Sequence, residues 1–396
     1  MNQAYVYDAV RTPFGKLGGA LSGHRPDDLA ALVVRTLVER APALDPAAID
    51  EVYLGNANGA GEENRNVARM ATLLAGLPVS VPGATVNRLC GSSLDAAMIA
   101  SRQIEVGEGD VLLVGGVESM SRAPWVLPKT ERPFPMQNLE LANTTLGWRL
   151  VNPEMPDEWT VSLGEATEQL REKHGITREE QDRWGVRSQE RAVAAVDRGH
   201  FANEITPVTM PDGTVVSADD GPRPGTTYEK ISQLKPVFRP DGTIAAGNCC
   251  PLNDGAAALV IMSDTKAKEL GLTPLARVVS TGVSGLSPEI MGLGPIEAVK
   301  NALRIAGKSI SDIDLFEINE AFAVQVLGSA RELGIEEDKL NINGGAIALG
   351  HPFGMTGARI TASLLNNLQA EDKQFGVETM CVGGGQGMAM VLERLS

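Results

Sequence analysis

Long apolar runs are missing from this chain of 396 residues. No stretch of 18 consecutive apolar residues occurs, which argues against a membrane-spanning helix. Cysteine is sparse: Cys90, Cys249, Cys250 and Cys381 are the only four, and none has the paired C-x-x-C spacing of a zinc site. A reduced, metal-free chain is expected. A Walker A sequence and H-E-x-x-H are both absent. Positive charge is in deficit, with 35 Lys and Arg against 50 Asp and Glu, for a formal net charge of −15. Such a surface argues against nucleic acid and anionic membrane as general partners, while a local basic patch can still hold an anionic small molecule. The opening MNQAYVYDAV has no basic segment before an apolar one, and the closing VLERLS carries no peroxisomal address, so the cytoplasm is expected.

Glycine, by contrast, is abundant at 43 residues, and aromatics make up only 4%. That balance favours an α/β protein with many tight turns, and the length favours two packed domains with an insertion. YVYDAV (5–10), EVYLGN (51–56) and DVLLVGG (110–116) read as buried strands, with helical spacing between them over 27–40 and 92–104. The alternation predicts a mostly parallel sheet covered by helices. The pattern restarts in the second half. ARVVSTGVSG (276–285) reads as a strand and turn, Pro295 to Leu303 as a helix, and DLFEIN (314–319) as a strand. Ile360, Leu364, Leu365 and Leu368 form one helical face, and MCVGGGQGMAMVL (380–392) two strands joined by a glycine turn. DEVYLGN parallels DLFEIN, VNRLCG parallels INGGAI, and LVGG parallels CVGG, all in the same order, which points to a duplicated α/β unit. Residues 119–249 break the pattern. They are read as an inserted loop domain, with a helix over 177–197 opened by a Thr177/Glu180 capping box.

Four side chains could carry chemistry. VNRLCGSSLDAA sets Cys90 where a helix begins, with Ser92 and Ser93 available as caps. A thiol at a helix N-terminus is expected to ionise more easily, and the other reading is a buried helical cysteine. Cys381 closes an apolar strand directly before Gly383, where bare backbone lets amides approach a ligand; a core thiol beside a tight hairpin is the alternative. His351 sits in GHPFG among glycines that would leave room for substrate, or is simply a structural loop histidine. Asn319 ends a strand, where α/β sheets place ligands, and either holds a water or satisfies a turn. GGGQG is not a dinucleotide fingerprint, because strand-like alternation follows it.

VNRLCGSSLDAA, GGVESMS (115–121), NEAFA, NGGAIALGHPFGMTGAR (343–359) and CVGGGQG, in this order, resemble the successive signatures of the thiolase family across nearly the whole chain. The resemblance implies a five-layered αβαβα fold. Residues 1–118 plus 250–270 and residues 271–396 would be its two halves, and 119–249 the coenzyme A-binding loop domain. It implies that Cys90 accepts the acyl group, that His351 activates it, and that Cys381 exchanges a proton with the acetyl carbon. Asn319 would hold a water that forms one oxyanion hole with His351, and the amides of Cys90 and Gly383 would form the other. Coenzyme A enters as substrate and product, no cofactor is permanently bound, and a homodimer or homotetramer is expected.

For coenzyme A the resemblance implies contacts from Arg223, Lys230, Phe238, Ala246, Cys250, Leu252 and Phe322, with Lys235 and Arg239 adding positive charge. Departures from the family pattern stand at Cys250 and Pro251 (Ser and Gly in many members), Lys230 (Ser), Ser93 (Gly) and SLG at 162–164, where short-chain biosynthetic members have HMG. TTLGWRLVNPEM (144–155) is similar to the loop of broad-range and β-ketoadipyl-CoA thiolases. The expected activity is 3-ketoacyl-CoA thiolysis. The alternatives are acetoacetyl-CoA formation, β-ketoadipyl-CoA thiolysis and a non-catalytic acyl-CoA- or sterol-binding relative.

Overall fold

The computed structural model of the chain describes residues 2–396. AYVYDAVR forms the first strand, β1 (Ala4–Arg11), with its apolar residues turned inward. Eight more long strands follow: β2 (Glu51–Gly55), β3 (Gly83–Val86), β4 (Val111–Ser119), β5 (Asn253–Ser263), β6 (Ala276–Gly285), β7 (Leu315–Ile318), β8 (Phe375–Val382) and β9 (Gln386–Arg394). With a two-residue strand at Gly15–Lys16, they join in one sheet of order β7-β8-β9-β6-β1-β5-β4-β2-β3.

The duplication is visible in the pairing. From the outer edge inward, β3-β2-β4-β5-β1 pair parallel, parallel, antiparallel, antiparallel. The second half repeats this with a parallel bridge at Leu340, then β7, β8, β9 and β6. The two halves meet where β1 lies antiparallel to β6, through Tyr5 opposite Arg277 and Val6 opposite Ala276.

The expectation of a mostly parallel sheet is wrong. Only β2/β3, β2/β4 and β7/β8 are parallel strand pairs. The error traces to β5, whose sequence NDGAAALVIMS does not announce a strand, because Gly and Ala have low β-propensity. All of its residues are buried. It runs antiparallel between β1 and β4, so it reverses the direction of both pairings.

Helices complete five layers. α1 (Pro26–Arg40) and α2 (Val67–Leu74) share an apolar cluster with the outer face of the first half-sheet. α3 (Ser92–Val106) and the C-terminal helix (Thr356–Ala370) pack together in the middle, against residues of both half-sheets. Helices Gly294–Ala306 and Ala323–Leu333 cover the far face. The middle position explains why the C-terminal helix departs from its expected single apolar face. It is buried without a break from Thr356 to Leu365.

Between β4 and β5 the chain leaves the sheet and forms helices Leu163–His174 and Arg178–Asp197; Thr177 and Glu180 make the expected reciprocal capping box. This segment is tied back to β1 by Arg11, fully buried, which bonds Glu204 at 2.6 Å and Asp219 at 2.7 Å.

Candidate active site

The loops that follow equivalent strands of the two halves converge. Leu89–Gly91, after β3, forms a tight turn that packs against both β8 and the turn Phe353–Met355. Leu89 takes the left-handed conformation at φ 47°, which turns the chain into α3. The serines do not cap that helix as expected. Ser92 Oγ instead accepts from the Arg88 amide at 3.0 Å and donates to the Leu89 carbonyl at 2.6 Å, bracing the turn around Cys90. Ser93 Oγ accepts from the Ala358 amide at 3.0 Å and so links the two central helices.

Cys90 is 7% exposed. Burial pushes its thiol up to about 12, which corrects the expectation of a helix-activated thiolate. The opposing contributions come from the amides of Gly383 and of Cys90 itself, the two donors named from the sequence, and they do not offset the loss of water.

His351 is 1% exposed, and burial together with the Arg359 charge pulls its imidazole down to about 3, so it stands neutral. Thr356 Oγ1 donates to the Pro352 carbonyl at 2.7 Å and lies 2.7 Å from His351 Nδ1. The hydroxyl proton is thus engaged, which assigns the ring proton to Nδ1 and leaves Nε2 as the basic nitrogen. Asn319 Nδ2 is 3.4 Å from Nε2 and 3.5 Å from Nδ1, while its Oδ1 accepts from Arg359 at 3.4 Å. Asn253 Oδ1 holds the His351 amide at 3.0 Å.

Cys381 is the penultimate residue of β8 and pairs with Gly387 across the glycine hairpin. Burial first, and then the neighbouring Cys90, raise its thiol above the ordinary range. Cys250 is also raised by burial, and then by Cys249, Cys90 and Cys381. Three sulfurs therefore share one poorly solvated neighbourhood, and all four cysteines are free thiols.

The glycines near His351 do not make room for substrate. A Cβ on Gly357 would run into the Leu94 backbone, one on Gly354 into the Val117 carbonyl oxygen, and one on Gly345 into the Glu320 carboxyl. They let the loop approach its own protein. Glu320, itself buried, holds that loop by accepting from Ser188 Oγ at 2.6 Å, Asn341 Nδ2 at 2.9 Å and the Ile347 amide at 3.1 Å.

A cavity opens on Cys90, Gly383, Phe353, Leu163 and the loop Thr144–Arg149. Glu118 also borders it. Its buried carboxylate accepts from the amides of Ala57 (2.9 Å), Asn58 (3.1 Å) and Gly354 (2.8 Å) and so pins the His351 turn to the first half. A second cavity is bordered by Arg223, Lys230 and Ala246, together with Lys16, which sequence reading missed. Cys250 and Leu252 flank Pro251, which borders the same cavity. Phe238 and Phe322 border neither and meet edge to face at 6.1 Å. Arg239 is not free to attract phosphate, because Glu165 and Glu172 bind it at 2.5 and 2.7 Å. Thr356, Asn253 and Glu118 also escaped the sequence, because each acts through a partner far along the chain.

Two half-sheets of matching pairing, joined at β1 and β6, thus bring Cys90 to a cavity wall, with Cys381 beside it and the neutral His351 against Phe353 of the same wall. The chain belongs to the thiolase family: the thiolase N-terminal domain matches residues 4–265 and the thiolase C-terminal domain residues 272–394. It is 51% identical over 402 aligned positions, covering all of both chains, to a β-ketoadipyl-CoA thiolase of Escherichia coli. It is 43% identical to an acetyl-CoA acetyltransferase of Pseudomonas aeruginosa, again over the full length of both. Among solved structures, the Bacillus anthracis acetyl-CoA acetyltransferase superposes with a TM-score of 0.94 at 42% identity, over 100% of this chain and 99% of that one. The human mitochondrial 3-ketoacyl-CoA thiolase in complex with CoA gives 0.93 at 37%, over 100% and 98%. The protein is an acyltransferase with coenzyme A as substrate. No helix among the described residues is long and apolar enough to cross a membrane.

Proposed function

We propose that the enzyme cleaves a 3-oxoacyl-CoA whose acyl chain ends in a carboxylate, as the names of its β-ketoadipyl-CoA thiolase relatives state for them. The observation that supports the chemistry is Cys90 in the cavity wall with Cys381 beside it, and the neutral His351 stacked edge-on against Phe353 of the same wall. Cys90 Sγ attacks the C3 ketone as its proton passes to His351 Nε2. The C2–C3 bond then breaks. The electron pair leaves as the enolate of acetyl-CoA, and Cys381 gives its proton to the C2 carbon. The Cys381 thiolate next takes the proton of an incoming CoA thiol. That sulfur attacks the acyl–Cys90 thioester, and His351 returns its proton to the departing Cys90 sulfur. The Gly383 and Cys90 amides, both within reach of Cys90 Sγ, face the oxygen that becomes negative at the acyl carbon. Asn319, with its water, and His351 serve the enolate oxygen.

The second cavity suits the nucleotide end of CoA, with Arg223, Lys230 and Lys16 as the cations for its phosphates. Residues 119–249 would then form the CoA-binding unit between the two thiolase halves. Trp125, Leu127, Phe134 and Met136 are exposed apolar residues in that segment, which supports burial of this arm in a homodimer or homotetramer. Four free thiols suit a reducing cytoplasm.

The test separates the half-reactions. Cys90→Ala forms no acyl adduct by mass spectrometry. Cys381→Ala is still acylated at Cys90 by an acyl-CoA, yet cleaves no carbon–carbon bond. Normal thiolysis by Cys381→Ala overturns the assignment.

A further inference from the structure

The cavity beside Cys90 has two ionisable residues in its wall besides the thiol, Glu118 and Arg149. Glu118 is 2% exposed and turned toward three backbone amides. Arg149 is the cation, and it has no carboxylate partner within ion-pair distance among the described residues, in a chain where acids outnumber bases 50 to 35. Its one hydrogen bond runs from Nη2 to Asn58 Oδ1 at 3.0 Å. Asn58 is itself fixed, since Nδ2 donates to both the carbonyl and the hydroxyl of Thr144 at 3.0 Å, and its amide is held by Glu118. A neutral acceptor thus anchors one edge of the guanidinium and leaves other N–H donors unengaged, in the geometry that takes a carboxylate through two bonds.

We infer that Arg149 grips the terminal carboxylate of the acyl chain that Cys90 takes up, with Asn58 holding the guanidinium in place. The inference rests on the substrate reading above and gives it a residue. Cleavage of 3-oxoadipyl-CoA leaves a four-carbon acyl group on sulfur, with its carboxylate at the far end. So short a group requires its cation in the wall of the same cavity as Cys90, and Arg149 is the cation in that wall.

The experiment compares kcat/KM for 3-oxoadipyl-CoA and 3-oxohexanoyl-CoA, which has the same chain with a methyl end, in the wild type, Arg149→Met and Arg149→Lys. The wild type favours the carboxylate by about 100-fold. Arg149→Met loses about 100-fold on 3-oxoadipyl-CoA, chiefly through KM, and stays within about 3-fold on 3-oxohexanoyl-CoA. Arg149→Lys keeps the charge without the planar fork and falls between. A wild type indifferent to the carboxylate refutes the substrate reading and this assignment with it. A selective wild type whose Arg149→Met variant is equally selective refutes the assignment alone, as does an equal loss on both substrates.

Discussion

Raising the pH should make Cys90 reactive only far above neutrality. Burial sets its thiol at about 12 and the His351 imidazole at about 3. Moving the proton from one to the other in the resting protein therefore runs steeply uphill. Each pH unit between the two groups is a factor of about ten against a thiolate–imidazolium pair. The resting site is neutral, and the proton leaves Cys90 only as the carbon–sulfur bond forms. The assay is alkylation by iodoacetamide from pH 6.5 to 10, read at the Cys90 peptide by mass spectrometry. The rate should rise about tenfold per pH unit throughout, without a plateau, since the thiolate is the reactive form. A plateau below pH 9 refutes the reasoning. So does a 240 nm thiolate absorbance at pH 7 that vanishes in Cys90→Ala.

Thr356→Val strands the Nδ1 proton of His351 in a buried site and releases the ring to its other tautomer; kcat should fall about 10- to 100-fold with little change in KM, in steady-state thiolysis. Arg11→Met leaves Glu204 and Asp219 buried without their cation and should cost about 3–5 kcal/mol in urea denaturation, while adding Glu204→Gln and Asp219→Asn should recover most of it. Gly357→Ala forces a Cβ against the Leu94 backbone between the two central helices, and should lower stability by about 1–3 kcal/mol in the same assay.

Much of the site was legible because its chemistry sits at strand ends, where local pattern is clearest. The buried runs of β4, β7 and β8 placed Cys381 and Asn319 directly, and the Thr177/Glu180 box fixed the start of the helix at 178. The repeat of LVGG as CVGG corresponds to equivalent parallel pairings in the two half-sheets, and VNRLCG and INGGAI each follow the outermost parallel contact of their half. What failed depended on long-range packing. Ala256, Ala257 and Ala258 look unlike a strand until both neighbours are in place. Arg239 looks like a free cation until the helix Leu163–His174 brings Glu165 and Glu172 to it.

The same distinction governs the thiols and the glycines. From the sequence, a helix N-terminus lowers the Cys90 pKa, because the dipole is local and the cost of burial is not. In the fold, β8, the Phe353–Met355 turn and α3 close around the sulfur, and lost solvation outweighs the dipole. The glycines of NGGAIALGHPFGMTG are what permits that closure, because Gly354 and Gly357 let the loop press against β4 and α3. Bare backbone and an inert resting thiol are thus two sides of one arrangement. Tight protein-on-protein packing removes water from Cys90 and keeps it protonated, and in the proposed thiolysis its nucleophilicity is reserved for a C3 ketone that arrives with its oxygen facing the Gly383 amide.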